Sequence, residues 1–150
     1  MINVFLKQLE GICHKDQSSI SMLANASALL NEHLDNINWV GFYLYNNGKL
    51  ILGPFQGKVA CTEIAIGKGV CGTSFQRKAL TNVANVHDFE GHIACDPDTN
   101  SEIVIPLIYE GKRFGVLDID SLEYSRFSGD DEDELEAAAY IISKALANKK

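Results

Sequence analysis

Four cysteines are the side chains of this 150-residue sequence best suited to nucleophilic or redox chemistry. Cys61 precedes a short apolar segment, Cys71 opens a short helical segment after Gly69, and Cys95 lies in a long polar loop. A thiol at a helix start has its thiolate stabilised by unpaired backbone N–H groups, and a thiol in a loop can approach a partner and retreat. We therefore predict that these three thiols are accessible and reactive, whereas Cys13, in an apolar helical segment, is a small buried hydrophobic residue.

Zinc binding is the alternative use of the same thiols. His87, His92 and Cys95 lie close together in sequence, and Cys61 and Cys71 could complete a coordination shell. The spacing disfavours this interpretation, because Cys61 and Cys71 are ten positions apart and the sequence holds no Cys-x-x-Cys pair. We therefore expect no metal site.

Carboxylates form the second group with chemical potential. Asp118 and Asp120 end an apolar strand segment, and residues two apart on a strand point to the same face. Glu102 begins the preceding strand segment and could lie beside them across a hairpin. Solvated acids at an exposed strand end are an equally good explanation of this pattern. If the acids are buried, they need a cation, a hydrogen-bond donor or solvent.

Two aromatic residues on another strand could complete such a site. Trp39 and Tyr43 share a face of the segment 37–45, where they could form the wall of a pocket, although core packing is the commoner use of such residues. An acidic cluster beside aromatic rings suits a small ligand that carries an ammonium group.

The elements that must position these side chains follow from hydrophobic periodicity. Apolar residues at spacings of three and four predict helices near both ends of the chain, and alternating segments predict strands between them. We expect helices over about 3–13, 18–34, 70–77 and from 128 onward, and strands over 37–45, 50–55, 63–66, 80–84, 102–109 and 113–120. Segment 85–100 has no sustained period and is predicted to be a binding loop or lid. The result is a single α+β domain over 1–150 with one central sheet.

Charge and hydropathy limit the partners. The net charge of −7 disfavours nucleic acid, and the absence of a long apolar run disfavours a membrane span. No secretory signal is evident at the N-terminus, so we expect a cytoplasmic protein with reduced thiols. Six acidic residues between Asp130 and Glu136 account for much of the negative charge. These residues follow Ser128. We interpret them mainly as the capped, charged first turn of a helix, with an acidic interaction surface as the alternative.

Several segments carry a resemblance to a known family. They are 38–43, 52–57, 69–72, 92–96, 101–104 and 115–121, together with three cysteines at intervals of 10 and 24. In these segments the chain resembles the free methionine-(R)-sulfoxide reductases, which are stand-alone GAF domains. General GAF sensor domains do not share the cysteine triplet.

The resemblance implies a fold, a reaction and a role for particular residues. The fold would be a six-stranded antiparallel sheet with helices on one face and a lidded pocket on the other. The reaction would be reduction of free L-methionine (R)-sulfoxide, not of the peptide-bound residue. By position, Cys95 would be the nucleophile and Cys61 and Cys71 the resolving thiols, with Cys61 slightly favoured as the disulfide partner. The pocket would be formed by Glu102, Asp118, Asp120, Trp39 and Tyr43.

The implied chemistry also sets expectations for cofactors and partners. A thiolate would attack the sulfoxide sulfur, a carboxyl group kept protonated by its acidic neighbours would protonate the departing oxygen, and a sulfenic acid would condense to a disulfide. An external dithiol such as thioredoxin would supply the electrons, so no metal, flavin or nucleotide cofactor is expected. By resemblance a homodimer is plausible. A non-catalytic GAF sensor that binds a small molecule, and a redox-sensing or zinc-stabilised interaction protein, are the alternatives.

Overall fold

Two N-terminal helices, a six-stranded sheet with one short helix between its strands, and a C-terminal helix make up the described part of the fold. The structure is a computed structural model that describes residues 2–93 and 95–149. The helices are α1 (Val4–Ile12), α2 (Ser19–His33), α3 (Gly69–Arg77) and α4 (Gly129–Ala147), and a short 3-10 helix covers Val86–Asp88. The strands are β1 (Trp39–Asn46), β2 (Lys49–Gly57), β3 (Glu63–Ala65), β4 (Thr81–Val83), β5 (Ser101–Tyr109) and β6 (Lys112–Ser121).

One antiparallel sheet contains all six of these strands, in the order β3-β2-β1-β6-β5-β4. A tight turn joins the two strands of each long hairpin, as the sequence predicts. Asn47 and Gly48 have positive φ between β1 and β2, and Glu110 and Gly111 have positive φ between β5 and β6. The hairpins place β1 and β6 side by side at the centre of the sheet.

The predicted elements are confirmed, with shifts of a few residues at their ends. The strand predicted over 37–45 runs from Trp39 to Asn46, and the strand predicted over 50–55 is longer, Lys49–Gly57. The capped, charged first turn is also confirmed, because the Ser128 side chain accepts from the Asp131 N–H and the Asp131 carboxylate accepts from the Ser128 N–H.

The two faces of the sheet are covered differently. Helices α1, α2 and α4 pack on one face around a core of apolar side chains that includes Leu23, Phe42 and Leu117. The opposite face carries a smaller cluster that includes Trp39, Tyr43 and Phe75 of α3. Helices on one face and a pocket on the other are therefore confirmed, and the short helix α3 lies on the pocket face.

Segment 85–100 contributes one short 3-10 helix and no strand within its described residues. It crosses the pocket face of the sheet before β5 begins, as the predicted lid requires. No helix in the described part of the chain is long and apolar enough to cross a membrane.

Candidate functional site

Three carboxylates lie together on the pocket face of the central strands. Glu102 of β5 pairs in register with Asp120 of β6, and Asp118 lies two residues earlier on the same face of β6. Glu102 and Asp118 are buried, with exposed fractions of 7% and 5%. Asp120 is partly exposed, although its Oδ1 atom is buried. The alternative of solvated acids at an exposed strand end is therefore wrong for Glu102 and Asp118.

Burial dominates the electrostatics of these acids. It raises the pKa of Glu102 and of Asp120 well above the ordinary carboxyl range, and repulsion from Asp118 raises both further. Burial also raises the pKa of Asp118, although hydrogen bonding with Glu102 and Cys71 opposes that rise. Desolvation therefore raises these carboxyl pKa values more than the mutual repulsion that we expected from the sequence.

Two carboxylate oxygens in this cluster have no hydrogen-bond partner among the described residues. They are Asp118 Oδ1 and Asp120 Oδ1, and both atoms are buried. Both residues line a cavity of about 50 Å³. A buried oxygen without a donor is costly, so the cluster is suited to a ligand that brings a positive charge or N–H donors.

A disulfide lies beside this cavity. It joins Cys61, in the loop between β2 and β3, to Cys95, in the lid segment, with their Cα atoms 5.6 Å apart. Both residues are partly exposed. Cys95 itself lines the cavity. Cys61 does not, but Val59 and Ala60, which precede it on the same loop, do. The structure thus brings together two loops whose cysteines are 34 residues apart.

The aromatic pair lines the cavity and also holds the Cys61 loop. Trp39 Nε1 donates to the Lys58 carbonyl oxygen (3.1 Å), and Tyr43 Oη donates to the Cys61 carbonyl oxygen (2.9 Å). The two rings stack with their centroids 5.9 Å apart. Burial and the charge of Asp118 raise the pKa of Tyr43, so its phenol stays a hydrogen-bond donor. Sequence reasoning predicts the wall and misses this positioning role.

The lid has its own anchors, which sequence reasoning also misses. Asn38 Nδ2 donates to Asp96 Oδ2 and to Thr99 Oγ1, each at 3.1 Å, so the residue before β1 holds both ends of the turn over 96–99 that follows Cys95. The Gly69 N–H donates to the Gly91 carbonyl oxygen at 3.2 Å, which ties the start of α3 to the lid. These residues are polar or small and show no periodicity, so their role in anchoring the lid can be recognised only from their tertiary contacts.

Cys71 differs from its predicted state. It is buried, with an exposed fraction of 4%, and its Sγ lies 3.9 Å from Glu102 Oε2. Burial raises the pKa of its thiol, and the charges of Asp118 and Glu102 raise it further. The prediction of an accessible thiol with a stabilised thiolate is therefore wrong, because burial and the acids outweigh the helix N-terminus.

Cys13 lies on the helical side of the sheet, remote from this cavity. It is partly buried and packs against the apolar core, as predicted. Burial raises the pKa of its thiol to about 11, so at neutral pH this thiol is protonated.

Of the residues predicted for the site, all but Cys61 line the cavity directly, and Cys61 is bonded to one that does. The zinc set considered from sequence does not assemble in this form, because the sulfur atoms of Cys61 and Cys95 bond each other. His92 also lines the cavity, and its buried Nδ1 has no hydrogen-bond partner among the described residues. Burial, together with neighbouring His87, lowers the pKa of His92.

A curled six-stranded antiparallel sheet combined with four helices is the architecture of a GAF domain. The family model described as "GAF domain" matches residues 18–147. Among curated proteins, the free methionine-R-sulfoxide reductase of Escherichia coli (strain K12) is 50% identical over 132 residues, covering 88% of this chain and 80% of that protein.

Solved structures agree with this relationship. The reduced form of fRMsr of Staphylococcus aureus has a TM-score of 0.91 at 50% identity, covering 95% of this chain and 93% of that one. Free methionine-R-sulfoxide reductase from Neisseria meningitidis, in complex with its substrate, has a TM-score of 0.90 at 38% identity, covering 96% and 87%. The chain belongs to the free methionine-R-sulfoxide reductases, a family of GAF-domain oxidoreductases, as its sequence motifs predict.

Proposed function

We propose that this protein reduces free L-methionine (R)-sulfoxide to L-methionine with the Cys61–Cys95 pair as its electron source. The observation that carries the proposal is that one cysteine of that disulfide, Cys95, lines the same cavity as the three acids. The similarity to named reductases of this activity supports the choice of substrate.

The acids account for recognition of a free amino acid. The unpartnered oxygens of Asp118 and Asp120 can accept N–H donors from a substrate ammonium group. The ammonium charge would also offset repulsion within the cluster. A peptide-bound methionine sulfoxide has an uncharged amide in place of the ammonium group, so it would leave these buried oxygens without a compensating charge.

The same cluster can supply a proton. Raised carboxyl pKa values mean that at least one of the three acids holds its proton at a pH where an ordinary Asp or Glu has lost it. The sulfoxide oxygen is a poor leaving group unless it is protonated, so a protonated carboxyl beside it lowers the barrier to S–O cleavage.

Cys95 is the better candidate for the attacking thiolate, because its side chain lines the cavity and Cys61 approaches only through the disulfide. In the reduced protein, the Cys95 thiolate attacks the sulfur of the protonated sulfoxide and forms an S–S bond with it, while the S–O bond breaks and hydroxide leaves. Hydroxide then attacks the Cys95 sulfur, and the S–S bond breaks to release methionine and leave a sulfenic acid at Cys95. Cys61 then attacks the sulfenic sulfur, water leaves, and the disulfide forms. A dithiol such as thioredoxin reduces it by thiol–disulfide exchange, which suits the reducing cytoplasm.

Cys71 is a less direct candidate for resolution. Its thiol is buried beside Glu102, and its raised pKa disfavours the thiolate that resolution requires. We therefore assign the first resolving step to Cys61.

Consumption of free methionine (R)-sulfoxide in the presence of a dithiol tests the proposal. Cys95→Ser should lower steady-state turnover by at least about 1,000-fold, because the nucleophile is lost. Cys13→Ser is the matched control, since it removes a thiol on the other side of the sheet and should leave turnover unchanged. Substantial turnover by Cys95→Ser would refute Cys95 as the nucleophile. No turnover by the unmodified protein would refute the proposed reaction and favour a non-catalytic binding domain.

A further inference from the structure

Cys71, Glu102 and Asp118 form a cluster that the proposed reaction uses only in part. Each offers one ligand atom, and these atoms all lie within 4.8 Å of one another. All three residues are buried. The Cys71 thiol is in this cluster but outside the disulfide, so its sulfur remains available in both redox states of the Cys61–Cys95 pair.

The spacing of these atoms is close to that of a zinc coordination shell. Zinc binds thiolate sulfur at about 2.3 Å and carboxylate oxygen at about 2.0–2.2 Å in a tetrahedron, which separates sulfur from oxygen by about 3.5 Å. Cys71 Sγ and Glu102 Oε2 are 3.9 Å apart. A small side-chain adjustment would therefore bring these two atoms into the geometry of a common ion.

A second observation points to a ligand at the same place. The Oδ1 atom of buried Asp118 has no hydrogen-bond partner among the described residues, and Asp118 lines the cavity. Asp120 Oδ1 and His92 Nδ1 are also buried and unpartnered there, and both residues line the same cavity. Carboxylate oxygen and imidazole nitrogen are ordinary zinc ligands, so either residue can supply a fourth position.

We propose that this cavity is also a binding site for one zinc-like divalent cation, held by Cys71, Glu102 and Asp118, and that the cation excludes the amino acid substrate. The Cys71 thiol releases its proton to solvent as the metal–sulfur bond forms. The thiolate selects zinc or cadmium over magnesium or calcium, which prefer oxygen ligands alone. The site differs from the zinc set considered from sequence, because it needs neither Cys61 nor Cys95.

Metal titration of the reduced, full-length protein tests the site directly. Cadmium alone should produce the ultraviolet thiolate-to-metal charge-transfer band, and equilibrium dialysis with zinc alone should find one ion per chain. Cys71→Ser should abolish the band and weaken zinc binding by at least about 100-fold, since it removes the sulfur ligand. Glu102→Gln should weaken zinc binding while keeping the cadmium–sulfur band at high metal concentration.

Two matched variants locate the sulfur ligand. Cys13→Ser and Cys95→Ser should both keep the charge-transfer band and the zinc affinity, because neither thiol is in the cluster. The inference is overturned if the unmodified protein does not bind zinc, if Cys71→Ser still binds zinc tightly, or if Cys95→Ser no longer binds it.

Competition with substrate tests the second half of the inference, which rests on the proposed function. Free methionine (R)-sulfoxide should raise the apparent zinc dissociation constant of Cys95→Ser, which can bind substrate but not reduce it. Zinc binding that is indifferent to substrate would overturn the exclusion. Reductase activity without zinc binding would refute the metal site alone, and zinc binding without reductase activity would refute the proposed function alone.

Discussion

The two faces of the central strand β6 divide the protein into a region that stabilises the fold and a region suited to chemistry. Leu117 and Ile119 point into the helical core, and both are fully buried. Asp118 and Asp120, which alternate with them, point into the cavity. One strand thus buries apolar surface on one side and ionisable groups on the other, because successive side chains face opposite ways.

The difference concerns free energy as well as composition. Burial of a leucine side chain stabilises the fold by about 1.5–3 kcal/mol, whereas burial of a carboxyl group without its full set of partners opposes folding. Burial of apolar side chains on the helical face therefore offsets the free-energy cost of burying acids on the pocket face. We expect substitutions on the two faces to separate stability from activity.

Neighbouring substitutions on β6 should produce the largest contrast. Leu117→Ala should lower the free energy of unfolding by about 2–5 kcal/mol, because it leaves a cavity in the helical core. Asp118→Asn, one residue away, should leave that free energy unchanged or raise it at neutral pH, since it removes a buried acid that repels its neighbours. Urea unfolding measures both, and a large loss of stability in Asp118→Asn would show that the pocket face also stabilises the fold.

Two thiols of the pocket face should behave differently in recycling. Cys61→Ser should still complete a first turnover but lower steady-state reduction with thioredoxin by at least about 10-fold, because the sulfenic acid at Cys95 loses its resolving partner. Cys71→Ser should still form the Cys61–Cys95 bond. Peptide mapping after one equivalent of substrate measures both outcomes, and a Cys71–Cys95 bond in the unmodified protein would reverse the assignment.

The pH dependence of stability should also distinguish the faces. The folded-state pKa of Glu102 is raised above its ordinary value of 4.5, mainly by burial. The contribution of Glu102 to the free energy of unfolding is therefore fully present below pH 4.5. It is lost as the pH rises from 4.5 through the folded-state pKa. Glu102→Gln should gain stability relative to the unmodified protein over this range in urea unfolding. A constant difference would contradict the raised pKa, and Leu117→Ala should provide that constant difference as a control.

Much of this division could be predicted from sequence because it follows from alternation within strands. The two-residue period places Asp118 and Asp120 on one face, and the tight turn at Gly111 brings Glu102 opposite Asp120. The same period separates Trp39 from its core-facing neighbour Val40.

The remaining features depend on contacts that no local pattern specifies. The position of Cys71 at a helix start predicts an exposed thiolate, but α3 packs on the pocket face and buries it among acids. The Cys61–Cys95 bond depends on the approach of two loops, and Asn38 holds the lid through tertiary hydrogen bonds. Such contacts are made by irregular segments, which carry no hydrophobic period to read.

Whether the acidic face recognises the substrate amine can be measured by comparing the specificity constant kcat/KM for free and for N-acetylated methionine (R)-sulfoxide. N-acetylation removes the ammonium charge and leaves the oxygens of Asp118 and Asp120 without their donors. The unmodified protein should prefer the free amino acid by at least about 30-fold, or ~2 kcal/mol, and Asp118→Asn should narrow that preference. Equal kcat/KM values for the two substrates in the unmodified protein would contradict the account.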